Sequence, residues 1–411
     1  MKKLGFGCMR FPMQGETIDV EEVEKMVDTF MERGFTYFDT SYVYHNGESE
    51  SILKKVLVER YPRETFTITT KSPVFLVENQ EQFFSIFQQQ LDRLGTDYVD
   101  YYWLHAVNGE IYQKIQSLDL MDALIQLKRD GRTRHIGLSF HDSPELLDRI
   151  LSEHPELEYI QLQLNYFDWD SPYVAAGRCY EVCKKHGKQV VVMEPVKGGA
   201  LVNLPQDLEQ KFRRCDQEAS MASWAIRFCA SLDHVFMVLS GMSNMAQMLD
   251  NLSYMQEFRP LGKQEEEAVK EVANALRENM AYDPQAFAEA EKVCPKHIGI
   301  VKIAEMLNDH KKMNNYTNTC IYYSPYLGKL GKAADCDRCG KCMSVSAGQD
   351  VIGMLEEAEK TITHFQGKMI DSMSLCIRLP KRIKFRTEGK QDDEEMQRMT
   401  ALDKQERFAS Y

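Results

Sequence analysis

Between residue 4 and about residue 250 the chain alternates short strand-like runs with helix-like stretches. That alternation restricts the fold more than any other feature. The strand candidates are LGFGCM (4–9), TYFDTS (36–41), FTITTK (66–71), YVDYYWLH (98–105), RHIGLSF (134–140), YIQLQLN (159–165), QVVVMEP (189–195) and VFMVLSG (235–241). Several are apolar on nearly every residue or rich in β-branched and aromatic side chains, as parallel strands covered on both faces require. The stretch after the first strand has Asp19 as a cap, an apolar stripe at Val23, Met26, Val27, Phe30 and Met31, and Gly34 as a stop. Leu120, Leu124 and Leu127 repeat the stripe, and Gly131 ends that run. Eight such units predict an α/β chain folded as a (β/α)₈ barrel. A doubly wound open sheet fits less well, because no G-x-G-x-x-G turn follows the first strand.

After Leu261 the pattern changes. Residues 263–280, KQEEEAVKEVANALRENM, read as one charged helix, and the segment to residue 360 is dense in cysteine and tyrosine with few strand-like runs. The expected division is a barrel over 1–262, a small, mainly helical domain over 263–360, and a charged tail over 361–411. The tail carries RLPKRIKFR (378–386) and then acidic residues from Asp392 to Glu395, and reads as a solvated face with no assigned function.

With 50 Lys+Arg against 62 Asp+Glu, the net charge is −12. That balance argues against a general attraction for nucleic acid or anionic lipid. No apolar run approaches the ~20 residues that span a bilayer. The start, MKKLGFGCMRFP, lacks the apolar stretch and cleavage site of a signal peptide, so the expectation is a cytoplasmic protein.

Chemistry in such a barrel sits at the C-terminal ends of strands. Those ends present Asp39 and Tyr44 after the second strand, Lys71 at the third and His105 at the fourth. Charges inside apolar runs are costly unless they pair or serve a site. Any one of these residues alone is more simply a structural ion pair or a core histidine; four at successive strand ends favour a site. Asp39 is expected to hold Lys71 charged, and Lys71 to draw the Tyr44 pKa down from ~10. Tyr44 then protonates a carbonyl oxygen that His105 positions.

FDTSYVY (38–44), TITTK (67–71) and DYYWLH (100–105) resemble the catalytic segments of the aldo/keto reductases, and RHIGLSFHD and VLSGMSNMAQMLDN (238–251) resemble later segments of that family. The resemblance covers roughly residues 1–260. It implies that Asp39, Tyr44, Lys71 and His105 form a catalytic tetrad for nicotinamide-dependent carbonyl reduction. It places Ser139 and Gln161 on the nicotinamide carboxamide, and Met193 where an aromatic residue usually stacks on the ring. Ser240, Gly241, Ser243, Gln247 and Asn251 fall where the family binds the adenosine end. No Lys or Arg stands in that stretch for a 2′-phosphate, which leaves NADP and NAD both open.

Of eleven cysteines, Cys8, Cys179, Cys183, Cys215 and Cys229 read as reduced, buried thiols, and Cys320 and Cys376 as ordinary ones. Cys336, Cys339 and Cys342 follow the C-x₂-C-x₂-C spacing of a ferredoxin, with Ser346 where the fourth cysteine belongs. Upstream, Cys294-Pro295 matches the end of a companion motif whose other positions are Pro284, Phe287 and Ala290. Fourth ligands cross between clusters in two-cluster ferredoxins, so the two losses are complementary. Cys294, Cys336, Cys339 and Cys342 make one complete set, predicting one [4Fe–4S] cluster. This resembles the group of aldo/keto reductases that carry a C-terminal ferredoxin-like domain with both motifs. A zinc site completed by Cys294 or His310, and a module that binds nothing, are the alternatives. His297 reads as a surface or packing residue.

The resulting expectation is an oxidoreductase that reduces a small-molecule carbonyl, with an accessory cluster in a structural or sensing role. A cluster passes single electrons and hydride transfer moves two. The second reading therefore puts FMN in the barrel, fed through the cluster by a redox partner protein. A third is a non-catalytic subunit that senses a cofactor.

Overall fold

In the computed structural model, residues 2–278, 280–313, 316–346 and 348–363 are described; Cys376 and the charged tail beyond residue 363 lie outside them. Eight parallel strands close into a barrel: β1 (Leu4–Gly7), β2 (Tyr37–Asp39), β3 (Thr67–Ser72), β4 (Val99–Val107), β5 (Thr133–Phe140), β6 (Tyr159–Gln163), β7 (Gln189–Met193) and β8 (Val235–Ser240). Each pairs with the next in sequence, and β8 returns to β1 with Phe6 opposite Ser240. The eight strand-like runs of the sequence are these strands, with ends shifted inward or outward by no more than two residues.

The barrel is filled at its N-terminal end by Tyr37, Tyr101, Trp103, Val191, Met237 and Leu239, with Tyr159 and Phe236 packed against them. That plug is a packed core, not a channel, so ligands reach only the opposite end. Gly137 permits it: a Cβ there would stand 2.8 Å from the Trp103 ring and 2.0 Å from the Tyr159 carbonyl oxygen.

Helix α1 (Val20–Glu32) begins as its sequence indicates, with Asp19 Oδ1 accepting from the Glu22 N–H at 3.0 Å and Val23, Met26, Val27 and Phe30 buried. Gly34 takes φ 74° just past its end. The short hairpin of Met13–Gln14 and Thr17–Ile18 was not anticipated; its two-residue strands are too short for any periodicity to show.

Beyond the barrel run α2 (Lys263–Arg277), α3 (Ile300–Met313), α4 (Tyr316–Leu327) and α5 (Val351–Ala358). The charged helix is one-sided: Ala268, Val269, Val272, Ala273 and Leu276 are buried in a core shared with Tyr166, Phe212 and Trp224 of the barrel. Arg277 at its end donates to the Tyr166 and Phe167 carbonyls. The described residues belong to one compact unit, within which the borders 1–262 and 263–360 are a proposed division of function. Among the described residues no helix is long and apolar enough to cross a membrane.

Candidate active site

The strand ends bring the four predicted residues together. Lys71 is fully buried, and its ammonium donates to Asp39 Oδ1 at 2.6 Å, to the Thr40 carbonyl oxygen at 2.8 Å and to the Tyr44 hydroxyl at 3.2 Å. Three acceptors match the three hydrogens of an ammonium. Tyr44 is not on a strand. It opens a short turn, Tyr44–Gly47, in which His45 and Asn46 both adopt φ near 50°. Such backbone persists only where its surroundings impose it. Here His45 Nε2 accepts the Phe11 N–H at 3.0 Å, and its ring stacks on that of Phe11. The turn thereby directs the Tyr44 hydroxyl back to Lys71.

His105 lies within β4, just before Ala106 at φ 56° and the register shift between Leu104 and Val107. The irregularity re-aims the imidazole. Its Nδ1 is 3.1 Å from the Ser41 hydroxyl, and its ring stands edge-on to that of Tyr44 at 6.0 Å between centroids.

Burial pushes the His105 pKa well below 6.5, with Lys71 and His141 acting in the same direction, so the imidazole is neutral at physiological pH. Burial alone would lower the Lys71 pKa, but Asp39 and Tyr44 outweigh it and hold the ammonium charged. Burial raises Asp39, opposed by Lys71. Tyr44 departs from the sequence expectation. Burial, helped by the Asp39 charge, raises the phenol above its ordinary value, and the opposing pull of Lys71 does not overcome it. Burial outweighs the field that Lys71 was expected to exert, Asp39 acts with burial, and the phenol keeps its proton.

Ser139 and Gln161 sit side by side on β5 and β6 at the same end. The Ser139 hydroxyl is 3.2 Å from His141 Nε2 and 3.9 Å from the Met193 sulfur. Gln161 Nε2 donates to Asp39 Oδ2 at 3.5 Å, which ties this pair to the tetrad. Three polar atoms here are buried without a hydrogen-bond partner among the described residues: Gln161 Oε1, His141 Nδ1 and Glu194 Oε2. Unpaired buried polar atoms are expensive, and several around one strand end mark where a ligand supplies the partners. Sequence reasoning passed over His141. Its position two residues beyond Ser139, on the same side of a strand, was the available signal.

After β8, the Ser243 N–H donates to Gln247 Oε1, the Ser243 hydroxyl to the Arg10 carbonyl, and Asn251 Nδ2 to the Ser240 hydroxyl. The loop that lacked a cation in sequence acquires one in space. The Arg10 side chain lies over Gly241, where a Cβ would come 3.3 Å from its Cδ.

The family model of the aldo/keto reductases matches residues 3–274. The chain belongs to the aldo/keto reductase family. By family it is an oxidoreductase. It is 26% identical over 208 residues to probable aldo-keto reductase 1 of Glycine max, covering 48% of this chain and 57% of the relative. It is 23% identical over 285 residues to the oxidoreductase YqkF of Bacillus subtilis, covering 61% of this chain and 86% of that one. Against methylglyoxal reductase DkgB of Escherichia coli O157:H7 the identity is 29% over 167 residues, 39% of this chain and 57% of that protein. The chain thus spans little more than half the length of the first and third of these relatives. Among solved structures, the thermostable aldo-keto reductase Tm1743 shares the fold at TM-score 0.55 and 24% identity, over 66% of this chain and 94% of that one. The holo form of the Bacillus halodurans aldo-keto reductase AKR11C1 gives 0.53 and 25%, over 66% and 91%.

The four cysteines expected to hold the cluster lie outside the matched family segment. Cys294, Cys336, Cys339 and Cys342 line one small cavity of about 10 Å³, with Pro295, Ile298 and Leu355 on its apolar walls. The Cys342 thiol, raised by burial, is close enough to the other three for their charges to raise it further. Among the described residues no group of three or more His, Cys, Asp or Glu is disposed to hold one metal ion. His310, weighed as a zinc ligand, lies on α3, where the charges acting on it are Glu357 and Lys311. Phe287 and Ala290 are fully buried core residues, and the Ser346 hydroxyl is spent on the Gln349 carbonyl oxygen at 2.6 Å. Cys8, Cys179, Cys183 and Cys229 are buried free thiols, Cys320 is buried with its thiol donating to the Ile362 carbonyl, and Cys215 is half-buried.

The helical region also reaches the barrel mouth. Asp309 of α3 is buried there and bonds the Tyr173 hydroxyl. Burial raises its carboxyl to about 6, with Lys197 opposing and Asp168 assisting. A carboxyl whose folded pKa lies above its unfolded value stabilises the fold below the unfolded pKa and loses that contribution as pH rises through the folded one. Asp309→Asn is therefore expected to be more stable than wild type at pH about 7.5, by on the order of 2 kcal/mol. The two should converge near pH ~4. Denaturant unfolding at both pH values checks this; a difference that does not shrink on acidification would refute it.

Proposed function

We propose that the chain reduces an aldehyde or ketone with a nicotinamide coenzyme, NADP(H) or NAD(H), using Tyr44 as general acid. The observation that carries this reading is the buried Lys71 ammonium bonded at once to Asp39 and Tyr44 at adjoining strand ends. When bound, the coenzyme supplies the hydride. The chain's own residues do the rest. Gln161 Oε1 offers an acceptor and His141 Nδ1 a ring nitrogen, both buried and unpaired, as a carboxamide needs. Ser139 and Met193 flank them. Ser240, Gly241, Ser243, Gln247 and Asn251 are the candidates for the adenosine end, and Arg10 over Gly241 brings the cation that an anionic coenzyme calls for.

Neutral His105 orients the carbonyl oxygen with a ring N–H. Tyr44 holds its proton until charge develops on that oxygen and then donates it. Lys71 stabilises the tyrosinate left behind, and Asp39 keeps Lys71 charged and in place.

The accessory group of this reading is one [4Fe–4S] cluster on Cys294, Cys336, Cys339 and Cys342. What supports this reading is the C-x₂-C-x₂-C spacing together with Cys294-Pro295, and that all four thiols line one cavity. Such a cluster supplies one-electron chemistry when bound.

The test is anaerobic turnover of 4-nitrobenzaldehyde and propanal with NADPH and with NADH, followed by coenzyme absorbance. The expected result is one coenzyme oxidised per carbonyl reduced, with the ratio of KM values reporting whether the 2′-phosphate is read. Coenzyme binding without turnover of any carbonyl would favour the sensing role instead.

A further inference from the structure

Ser41 stands between Asp39 and Tyr44 in sequence and is fully buried. It serves two parts of the site at once. Its carbonyl oxygen accepts the Tyr44 N–H at 3.2 Å, which opens the turn that carries the phenol. Its hydroxyl lies 3.1 Å from His105 Nδ1, and no other hydrogen-bond partner of that hydroxyl occurs among the described residues. The chain on either side of this contact is fixed. The Thr40 hydroxyl meets that of Ser49 at 2.8 Å, and the Thr40 carbonyl oxygen holds the Lys71 ammonium. The His105 ring is set between Tyr44 and Phe75, with centroids at 6.0 and 6.3 Å. His105 keeps an accessible edge at the barrel mouth, and its Nε2 makes no hydrogen bond among the described residues.

A neutral imidazole has one N–H and one bare nitrogen, so the contact with Ser41 can run in two ways. If Nδ1–H donated, the Ser41 hydroxyl proton would be left in a fully enclosed position with no acceptor, at the desolvation cost of an unused donor. The bare Nε2 would then present a lone pair to the lone pairs of a carbonyl oxygen. If the Ser41 O–H donates to Nδ1, both buried atoms of the pair are used and the ring proton sits on Nε2, at the open edge. Lys71 and His141 both act against a second proton on the ring, so the choice between tautomers is the one that matters.

We infer that Ser41 is a positioning residue that fixes the tautomer of His105: its hydroxyl donates to Nδ1, so that Nε2 carries the N–H that orients the carbonyl oxygen. This rests on the carbonyl-reductase reading of the same site. It adds which ring nitrogen faces the oxygen and what keeps the proton there. One buried serine thereby sets both groups that meet the oxygen, Tyr44 through its carbonyl and His105 through its hydroxyl.

The experiment records long-range proton–nitrogen correlation spectra of the full-length protein carrying labelled histidine, as wild type and as Ser41→Ala. The His105 signals are identified by their loss in His105→Gln. Wild type should show a protonated Nε2 and a bare Nδ1, well separated in nitrogen shift. In Ser41→Ala nothing assigns the proton, and the two nitrogen signals should draw together as the tautomers exchange. In the same variant kcat/KM for 4-nitrobenzaldehyde should fall about tenfold, the size of one net hydrogen bond, while the coenzyme dissociation constant holds. Ser41→Thr keeps the hydroxyl and should keep the wild-type spectrum; if its added methyl prevents folding, the alanine comparison decides alone. A wild-type ring protonated on Nδ1 overturns the inference, as does a Ser41→Ala spectrum identical to wild type. A spectrum that changes while kcat/KM does not would remove the positioning role. The spectra are independent of turnover: a wild type that shows the Nε2–H form yet reduces no carbonyl refutes the carbonyl-reductase reading and leaves the hold of Ser41 on His105 standing.

Discussion

Replacing Tyr44 with phenylalanine is expected to lower kcat for carbonyl reduction by ~10²–10⁴-fold, the range that a positioned general acid contributes. The ring itself should stay in place, because its edge-on contact with His105 and its position under the Lys71 ammonium do not involve the hydroxyl. What disappears is the proton and the oxygen that Lys71 holds at 3.2 Å. Lys71 keeps Asp39 and the Thr40 carbonyl, so the buried ion pair survives and the fold should not suffer. Coenzyme affinity, measured by fluorescence titration, should change little while turnover collapses. The pH profile supplies a second reading. A phenol raised above its ordinary pKa stays protonated through neutral and mildly alkaline pH, so reduction by wild type should show no loss attributable to Tyr44 until pH rises past ~10. A variant that retains more than a tenth of wild-type kcat would remove Tyr44 from the acid role.

The barrel was legible because its strands are buried on both faces and so run apolar without interruption, as in QVVVM (189–193). The same context made Asp39, Lys71 and His105 conspicuous, since ionisable groups at the ends of such runs carry a desolvation penalty that only a partner or a function offsets. Contributions from distant parts of the chain were not legible. Arg10 comes to the β8 loop across the closure of the barrel, and Tyr322 comes to His141 from 181 positions away in sequence; no spacing rule encodes either. The Tyr44 error has a related cause. Sequence put a cation beside the phenol but could not weigh burial and the Asp39 carboxylate against it. The charged helix over 263–277 was recognised as a helix, while its docking on the barrel depended on an apolar stripe half hidden among glutamates.

Cys294→Ala is expected to reduce iron and sulfide from about four each per chain to near zero in anaerobically purified protein, and to remove the broad visible absorption with them. The size of the effect follows from the ligand arithmetic. Cys336, Cys339 and Cys342 lie within seven residues of one another, whereas Cys294 comes from a separate segment, after the stretch carrying Phe287 and Ala290. Three thiolates leave one iron corner of a cubane without a protein ligand, and Ser346 cannot substitute because its hydroxyl is buried and bonded to the Gln349 carbonyl. The complementary variant separates a crossed ligand set from a merely damaged one. Ser346→Cys restores the last position of the downstream motif, yet it should add no second cluster, because Phe287 and Ala290 fill the core where two of its partners would have to be. Iron should stay at about four per chain in Ser346→Cys and fall only in Cys294→Ala. If Cys294→Ala retained its iron, the fourth ligand would have to be sought elsewhere. One zinc per chain in the wild type would instead mean that the four thiols hold a single ion, and would overturn the cluster.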